Sequence, residues 1–388
     1  MREAVIVEAV RSPVGRRNGT LKDIHPVDLA AEVLQALVQR AGIDPALVED
    51  VIMGCVTQVG EQGVNVARSA ALAAGFPESV VGVTIDRQCG SSQQAVQFAA
   101  QAIMAGTNDV VIAAGIESMS RVPMGTNFMH GPGKPFGEKM SARYNHVEFN
   151  QGIGAEMIAE RWNIDRQTID QFGLESHQKA VAARDAGHFD GEIVPITVKT
   201  AEGETVTLTA DEGPRADTNL EKLASLKTPF KADGVISAGS ASQISDGAAA
   251  LLIMERGLAK KLGLKPKARF VTFAMAGDDP EIMLTAPIPA TKKALEKSGL
   301  SLDQIDHVEI NEAFAPVVIA WQKELGADAA KVNPLGGAIA LGHPLGASGA
   351  RLMTTLVHSL ERTGGRYGLQ TMCEGGGMAN ATIIERLA

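Results

Sequence analysis

One cysteine of this chain stands where a strand-like run meets a helix-like run. In TIDRQCGSSQQA, Cys89 follows the apolar segment VVGVTI and precedes Gly-Ser-Ser and a stretch of helical composition. The N-terminus of a helix offers unpaired N–H groups and a positive dipole end, which lower a thiol pKa toward neutrality and favour the nucleophilic thiolate. Free cysteines also occur as small buried hydrophobic residues. The segment alone leaves both interpretations open.

A second reactive side chain lies in the glycine-rich segment GGAIALGHPLGASGAR, where His343 stands between Gly342 and Pro344. The segment contains no lysine and no GxxxxGK[ST] pattern, which excludes a phosphate-binding P-loop. A histidine fixed in such a turn suits a base that activates a thiol, or a donor to a developing oxyanion. A histidine exposed on a surface loop is the alternative.

Two further strand ends carry thiol or polar side chains. Cys373 in MCEGGGMAN precedes three glycines, and Asn311 and Glu312 follow an apolar strand in EINEAFA. The glycines fit a strand-ending turn, and the Asn-Glu pair fits a solvated strand end. The alternatives are a thiol beside exposed backbone amides and an asparagine that orients a water molecule. In an open α/β sheet, strand ends of this kind converge on the ligand crevice.

Composition excludes several classes of protein. The 388 residues are 45% hydrophobic and only 4% aromatic, and the net charge of −9 argues against a general nucleic-acid-binding face. No apolar run reaches the roughly 18 residues of a membrane helix, and the N-terminus lacks a signal-peptide pattern, so we expect a cytoplasmic protein. The spacing of Cys55, Cys89 and Cys373 fits neither a zinc module nor a disulfide framework. We therefore expect free thiols and no metal site.

Hydrophobic periodicity predicts strands that alternate with helices, which indicates an α/β fold with a buried sheet. Near Met119 the pattern gives way to a Gly-, Pro- and Met-rich stretch, two helices and a short hairpin, typical of an inserted segment. A second α/β half begins near Ala268 and repeats the order glycine turn, helix, strand, terminal glycine. We predict an N-terminal half at 1–118 plus 246–267, an insert at 119–245 and a C-terminal half at 268–388.

Together the segments DRQCGSSQQA, SQISDGAAALLIM, NEAFA, GGAIALGHPLGASGAR and CEGGGMAN resemble the thiolase family, the acetyl-CoA acyltransferases, over essentially the whole chain. The resemblance implies a duplicated five-layer αβαβα fold with an inserted loop domain, assembled as a homodimer or homotetramer. It also implies acyl transfer between CoA and acetyl-CoA, by thiolysis of 3-ketoacyl-CoA or by the reverse Claisen condensation. CoA thioesters would then be the partners, with CoA as substrate or product and no tightly bound cofactor.

The same resemblance implies a role for each reactive residue. Cys89 would be the acylated nucleophile, and His343 would activate it. Cys373 would be the acid and base that moves a proton at the substrate α-carbon. Asn311, through a water molecule, would join His343 in one oxyanion hole, and the backbone N–H groups of Cys89 and Gly375 would form the second.

For CoA, the resemblance points to the insert and its junction with the second half. Arg215 would lie near the adenine, and Phe230 would pack along the cofactor. Ala238, Gly239 and Ser242 in SAGSASQ would contact the pantetheine arm.

Several positions depart from the common thiolase pattern. The polar pair Asn150 and Gln151 stands before the lid helix where a methionine commonly lines the acyl pocket, which leaves the acyl specificity open. The other departures are Ser240, Leu335 and the run from Ser92 to Gln94.

Three other functions compete with a thiolase. A ketoacyl synthase of the same fold would not be expected to carry a second catalytic cysteine at Cys373. A non-catalytic acyl-CoA- or lipid-binding subunit should have lost Cys89, His343 or Cys373, and all three are present. A thiol redox sensor would need two thiols close enough to bridge.

Overall fold

Two similar halves and an insert make up the chain. The computed structural model describes residues 2–129 and 131–387, so His130 of the Gly- and Pro-rich stretch and the two terminal residues lie outside the described residues. The elements of the N-terminal half are β1 (Ala4–Arg11), β2 (Gly15–Arg16), α1 (Pro26–Ala41), β3 (Asp50–Gly54), α2 (Val66–Ala73), β4 (Val81–Ile85), α3 (Ser91–Ala105) and β5 (Val110–Ser118).

The segment after β5 contains helices and one hairpin before the chain returns to the sheet. Its elements are α4 (Thr126–Met129), α5 (Glu138–Arg143), α6 (Gln151–Arg161), α7 (Arg166–Asp185), β6 (Ile196–Lys199), β7 (Thr205–Leu208) and α8 (Leu220–Ala224). The short helices α4 and α5 lie in the stretch whose sequence has no clear period. The domain bounds at 119 and 245 remain a prediction.

The chain then completes the first half and builds the second. The elements are β8 (Ser245–Glu255), α9 (Arg256–Lys261), β9 (Ala268–Gly277), α10 (Pro287–Ser298), β10 (His307–Ile310), α11 (Ala315–Leu325), α12 (Ala338–Leu341), α13 (Leu345–Thr363), β11 (Tyr367–Glu374) and β12 (Met378–Arg386). Within the described residues, no helix combines the length and the apolar character needed to cross a bilayer.

The strand order repeats between the two halves. The sheet runs β10-β11-β12-β9-β1-β8-β5-β3-β4, with β2 paired to β8, and the halves meet where β1 pairs with β9. In the first half β3 and β5 are parallel and β5 and β8 antiparallel. In the second half β10 and β11 are parallel and β11 and β12 antiparallel. The predicted duplication is therefore confirmed by the pairing pattern.

Helices complete the five layers of the predicted αβαβα fold. The central helices α3 and α13 contact each other, and α13 also contacts strands of both halves. Helices α1 and α2 cover the first half on its other face, and α10 and α11 pack against the strands of the second. Since α3 begins two residues after Cys89 and α13 two residues after His343, the two central helices start beside the two predicted reactive side chains.

Glycine allows the two central helices to approach closely. A Cβ on Gly349 of α13 would collide with the backbone of Gln93 in α3. At the same crossing the N–H of Ala350 donates a hydrogen bond to Ser92 Oγ at 2.8 Å. The polar run after Cys89, which departs from the family pattern, thus supplies part of the contact between the halves.

Candidate active site

A strained turn presents Cys89 at the start of α3. Gln88 adopts φ 48°, a left-handed conformation that side chains disfavour. The turn is held because the N–H of Gln88 donates to Asp86 Oδ1 at 2.7 Å and Ser91 Oγ donates to the carbonyl O of Gln88 at 2.6 Å. Strain maintained by surrounding bonds is typical of functional sites.

The Cys89 thiol is protonated at rest. It is only 4% exposed, and burial raises its pKa to about 12, with the Glu374 carboxylate as the next cause. The backbone N–H groups of Cys89 and Gly375 both act on the sulfur and lower its pKa, but they do not outweigh burial. The prediction that the helix N-terminus brings this pKa toward neutrality is therefore wrong for the resting site. Attack by this thiol requires a base.

Cys373 lies on β11 and is fully buried. Burial raises its pKa well above the ordinary value, and charge on Cys89 raises it further, so the two thiols are close enough to interact electrostatically. Simultaneous ionisation of both thiols is thereby disfavoured. All three cysteines are free, and within residues 2–129 and 131–387 no group of His, Cys, Asp and Glu side chains could hold a metal ion.

Two hydrogen bonds define the protonation of the His343 ring. Ser348 Oγ donates to the carbonyl O of Pro344 at 2.9 Å, so its lone pair accepts the proton on His343 Nδ1 at 2.6 Å. In this tautomer Nε2 carries a lone pair, which accepts from Asn311 Nδ2 at 3.3 Å. Burial, reinforced by the Arg351 guanidinium, lowers the pKa of His343 to about 3. The ring is therefore neutral, and Nε2 can act as a base when its long hydrogen bond from Asn311 Nδ2 gives way to the incoming proton.

Asn311 and Glu312 are both buried, so the interpretation as a solvated strand end is wrong. Glu312 accepts hydrogen bonds from Ser176 Oγ at 2.6 Å, Asn333 Nδ2 at 3.0 Å and the N–H of Ile339 at 3.2 Å. These bonds fix the segment on which Asn311 stands. Asn311 Oδ1 has no partner among the described residues, which leaves it able to accept from a water molecule or a substrate.

Two of the predicted CoA contacts, Phe230 and Ser242, touch the second half of the chain. The Phe230 ring packs edge-to-face on Phe314, with 5.9 Å between centroids. The N–H of Ser242 donates to the carbonyl O of Ala313 at 2.9 Å. Both partners follow Asn311 closely in sequence, so this junction is tied to the segment that carries Asn311. The remaining predicted contacts, which are exposed or half-buried, are Arg215, Ala238 and Gly239.

Three departures from the family pattern have structural explanations. Asn150 is the N-cap of α6, where its Oδ1 accepts from the N–H groups of Gly152 at 2.9 Å and Ile153 at 3.2 Å. Ser240 Oγ closes a turn of its own loop. Leu335 packs in a buried apolar cluster. A substrate contact is therefore not required to account for Asn150.

Sequence reasoning missed three contributors to this site: Ser348, Glu117 and Glu374. Glu117 accepts from the N–H groups of Val56 at 2.8 Å and Gly346 at 2.8 Å, and so ties the ends of β3 and β5 to the start of α13. The internal repeat could have revealed Glu117, because it precedes the last residue of β5 as Cys373 precedes the last residue of β11.

Comparisons with known proteins agree with this architecture. Models of the thiolase N-terminal and C-terminal domains match residues 4–257 and 264–386. A steroid 3-ketoacyl-CoA thiolase of Mycobacterium tuberculosis is 54% identical, covering 100% of this chain and 95% of that protein. A β-ketoadipyl-CoA thiolase of Escherichia coli is 46% identical, covering 100% of both. The crystal structure of a Bacillus anthracis acetyl-CoA acetyltransferase matches with a TM-score of 0.92 and 44% identity, covering 100% of this chain and 99% of that one.

The duplicated αβαβα fold and its relatives define an acyltransferase of CoA thioesters. The chain belongs to the thiolase family. It is an acyl-CoA thiolase, which moves an acyl group between CoA and acetyl-CoA. The predicted fold class and activity are thus confirmed, and a ketoacyl synthase or a non-catalytic subunit is not supported.

Replacing Ser348 with alanine should slow thiolysis, because the Nδ1–H of His343 loses its buried acceptor. An unsatisfied buried donor costs about 1–3 kcal/mol, so we expect kcat/KM for acetoacetyl-CoA to fall about 10- to 100-fold. Ser359→Ala is the matched control. Ser359 lies on α13, as Ser348 does, but its hydroxyl forms a hydrogen bond with Nδ1 of a different histidine, His307, at 2.8 Å. Equal losses in both variants would contradict a specific role for Ser348.

Proposed function

We propose that Cys89 is the nucleophile of the thiolase reaction, that His343 is its base, and that Cys373 exchanges a proton with the substrate α-carbon. The observation that carries this assignment is the presence of two buried, interacting thiols together with a neutral imidazole whose Nε2 has a lone pair. A thiolate and an imidazolium formed together offset each other's cost of burial. Proton transfer from the Cys89 thiol to the His343 imidazole therefore explains how a thiol with a raised pKa can still attack.

After the two half-reactions, each catalytic group has regained the proton with which it started. Cys89 gives its proton to His343 Nε2 and attacks the keto carbon of 3-ketoacyl-CoA. Cleavage of the carbon–carbon bond releases the acetyl-CoA enolate, which takes a proton from Cys373. CoA then gives its thiol proton to Cys373 and attacks the acyl-Cys89 thioester, and His343 returns the proton to Cys89. One thiol therefore carries the acyl group while the other carries the proton.

Two sets of donors suit the oxyanions of these steps. Once Nε2 of His343 holds the proton, it becomes a donor, and Asn311 beside it positions a water molecule as the second donor. The N–H groups of Cys89 and Gly375, which act on the sulfur at rest, form the other oxyanion hole. Fixed donors of this kind contribute about 3–4 kcal/mol each to stabilising an oxyanion.

Cys89→Ala should abolish turnover, since no group remains to be acylated. Cys373→Ala should lower kcat for acetoacetyl-CoA thiolysis by about 10²- to 10⁴-fold, the usual contribution of a general acid or base, while Cys89 remains open to alkylation by iodoacetamide. Steady-state kinetics with peptide mapping by mass spectrometry measures both effects.

Cys55→Ala is the control cysteine variant and should retain turnover. Near-normal activity of Cys89→Ala would contradict the assignment of Cys89 as the nucleophile.

We propose that the insert and its junction with the second half bind CoA. Arg215 is exposed and positively charged, Ala238 is exposed, and Phe230 and Gly239 are half-buried. Helix α7 links two of these residues, because the N–H of Arg215 donates to His177 Nδ1 at 3.2 Å and Gly173 packs against the carbonyl O of Gly239. Ser242, fixed by its backbone hydrogen bond, joins this loop to the segment that carries the oxyanion donors. In this assignment Arg215 lies near the adenine and Phe230 packs along the cofactor.

We also propose that the chain works as a homodimer or homotetramer in the cytoplasm. Strand β4 ends the sheet, and its Val81 and Val83 are 56% and 42% exposed. An exposed edge strand with apolar side chains is a ready template for pairing with another chain, here a second copy.

For the acyl group, we propose an apolar chain or ring system. Cys89 lies in a buried apolar cluster with Val56, Met119 and Leu345, and the acidic side chains that act on the two thiols are Glu374 and Glu117. Burial here already raises the pKa of both acidic groups, and it would likewise disfavour a terminal carboxylate on the substrate. The 54% identical relative is named a steroid 3-ketoacyl-CoA thiolase, which agrees with an apolar acyl group.

A comparison of two substrates tests this proposal. 3-Ketooctanoyl-CoA should exceed 3-oxoadipyl-CoA in kcat/KM by about 100-fold, because an unpaired buried carboxylate costs several kcal/mol. Acetoacetyl-CoA serves as the common reference, since its acyl group carries neither a long chain nor a free carboxylate. Equal or faster turnover of 3-oxoadipyl-CoA would show that an apolar acyl group is not required.

A further inference from the structure

Glu374 is a buried carboxyl group directly beside the proposed catalytic thiols. It follows Cys373 on β11, and since successive side chains of a strand point to opposite faces, it lies on the face of β11 opposite Cys373. Glu374 is 0% exposed, and a Cβ on Gly90 at the start of α3 would collide with its Oε1. Its carboxyl group therefore packs against the residue that follows Cys89.

The Glu374 carboxyl group is buried without a hydrogen bond, since neither of its side-chain oxygens has a partner among the described residues. Asn380 on β12 also lies beside Gly90, and its Nδ2 donates to the carbonyl O of Gly90 at 3.1 Å. That bond orients the amide and leaves Asn380 Oδ1 without a partner as well. A carboxyl group buried without a hydrogen bond favours its protonated, neutral form.

We propose that Glu374 is a positioning residue of the thiolase reaction, which stays protonated beside Gly90 and Asn380 and so keeps negative charge away from Cys89. When Glu374 ionises at alkaline pH, its charge opposes formation of the Cys89 thiolate. The proposal deepens the function proposed above and rests on Cys89 being the nucleophile. Glu374 itself neither attacks nor exchanges a proton with the substrate.

The charges around Glu374 support this behaviour. Burial is the main cause that raises its pKa to about 8, while Arg87 and the backbone N–H of Asn380 lower it. On the turn before α3, Arg87 acts on Glu374 and Cys89 is coupled to it. Cys373, the neighbour of Glu374 on β11, points to the opposite face of the strand but lies close enough for the Glu374 charge to raise its pKa. Coupling is mutual, since the Glu374 charge raises the pKa of Cys89 and of Cys373.

The test is the pH dependence of Cys89 alkylation in the wild type and in Glu374→Gln. Glutamine keeps the size and polarity of the side chain but cannot ionise. The rate constant for iodoacetamide is measured at the Cys89 peptide by mass spectrometry. Between about pH 6.5 and about pH 9.5, the ratio of the variant's rate to the wild-type rate should rise about tenfold, which corresponds to roughly one pKa unit of coupling. Glu296→Gln, an exposed carboxylate variant of the outer helix α10, should keep a constant ratio.

The outcomes separate this proposal from the assignment on which it rests. A constant ratio for Glu374→Gln, with Cys89 alkylated in both proteins, would overturn the role of Glu374 alone. If Cys89 resists alkylation at every pH while turnover proceeds, the nucleophile assignment fails and this proposal fails with it.

Thermal unfolding provides a readout that does not depend on Cys89. Because the folded state raises the pKa of Glu374, the stability that this group contributes is full below the ordinary pKa of a glutamate and is lost as the pH rises through about 8. The wild type should therefore lose more in Tm than Glu374→Gln between about pH 6 and about pH 9. Equal losses would contradict a protonated Glu374.

Discussion

The close contact of α3 with α13 is the constraint on which the site depends. These two helices come from different halves, and each begins beside one reactive side chain, Cys89 or His343. Gly349 allows their backbones to approach, and the hydrogen bond from Ala350 N–H to Ser92 Oγ fixes their register. Glu117 then ties the start of α13 to the strand ends of the first half. Duplication of the fold therefore does more than enlarge the core, because it brings two helix starts to one place.

The same packing buries the reactive groups, and burial determines their protonation states. Burial holds the Cys89 thiol and the His343 ring neutral, with the pKa of the thiol raised to about 12 and that of the imidazole lowered to about 3. A resting thiolate at the helix start is thus not the source of reactivity. In our account the charge appears as a thiolate–imidazolium pair when a substrate is present, and fixed backbone N–H groups stabilise it. A neutral Glu374 fits the same scheme, since any standing negative charge near Cys89 would raise its pKa further.

Much of this arrangement could be predicted from the sequence. Alternating strands and helices, the internal repeat and the motifs around Cys89, His343 and Cys373 gave the fold class and the thiolase activity. The effect of burial on the thiol could not be predicted, because local sequence indicates a helix start but not the layers packed over it. The link between Asn150 and acyl specificity failed for a related reason. A polar residue before a helix can cap that helix or line a pocket, and the local sequence does not distinguish the two. Glu374 escaped notice because its significance lies in a contact with Gly90, far away in the chain.

Rapid acid quenching of the wild-type chain with acetoacetyl-CoA in the absence of free CoA tests the central claim most directly. Peptide mapping by mass spectrometry then locates the acyl-enzyme. The account predicts an acetyl group on the peptide that contains Cys89 and none on the peptides that contain Cys55 or Cys373. Turnover without modification of Cys89, or an acetyl group on either of the other cysteines instead, would contradict it.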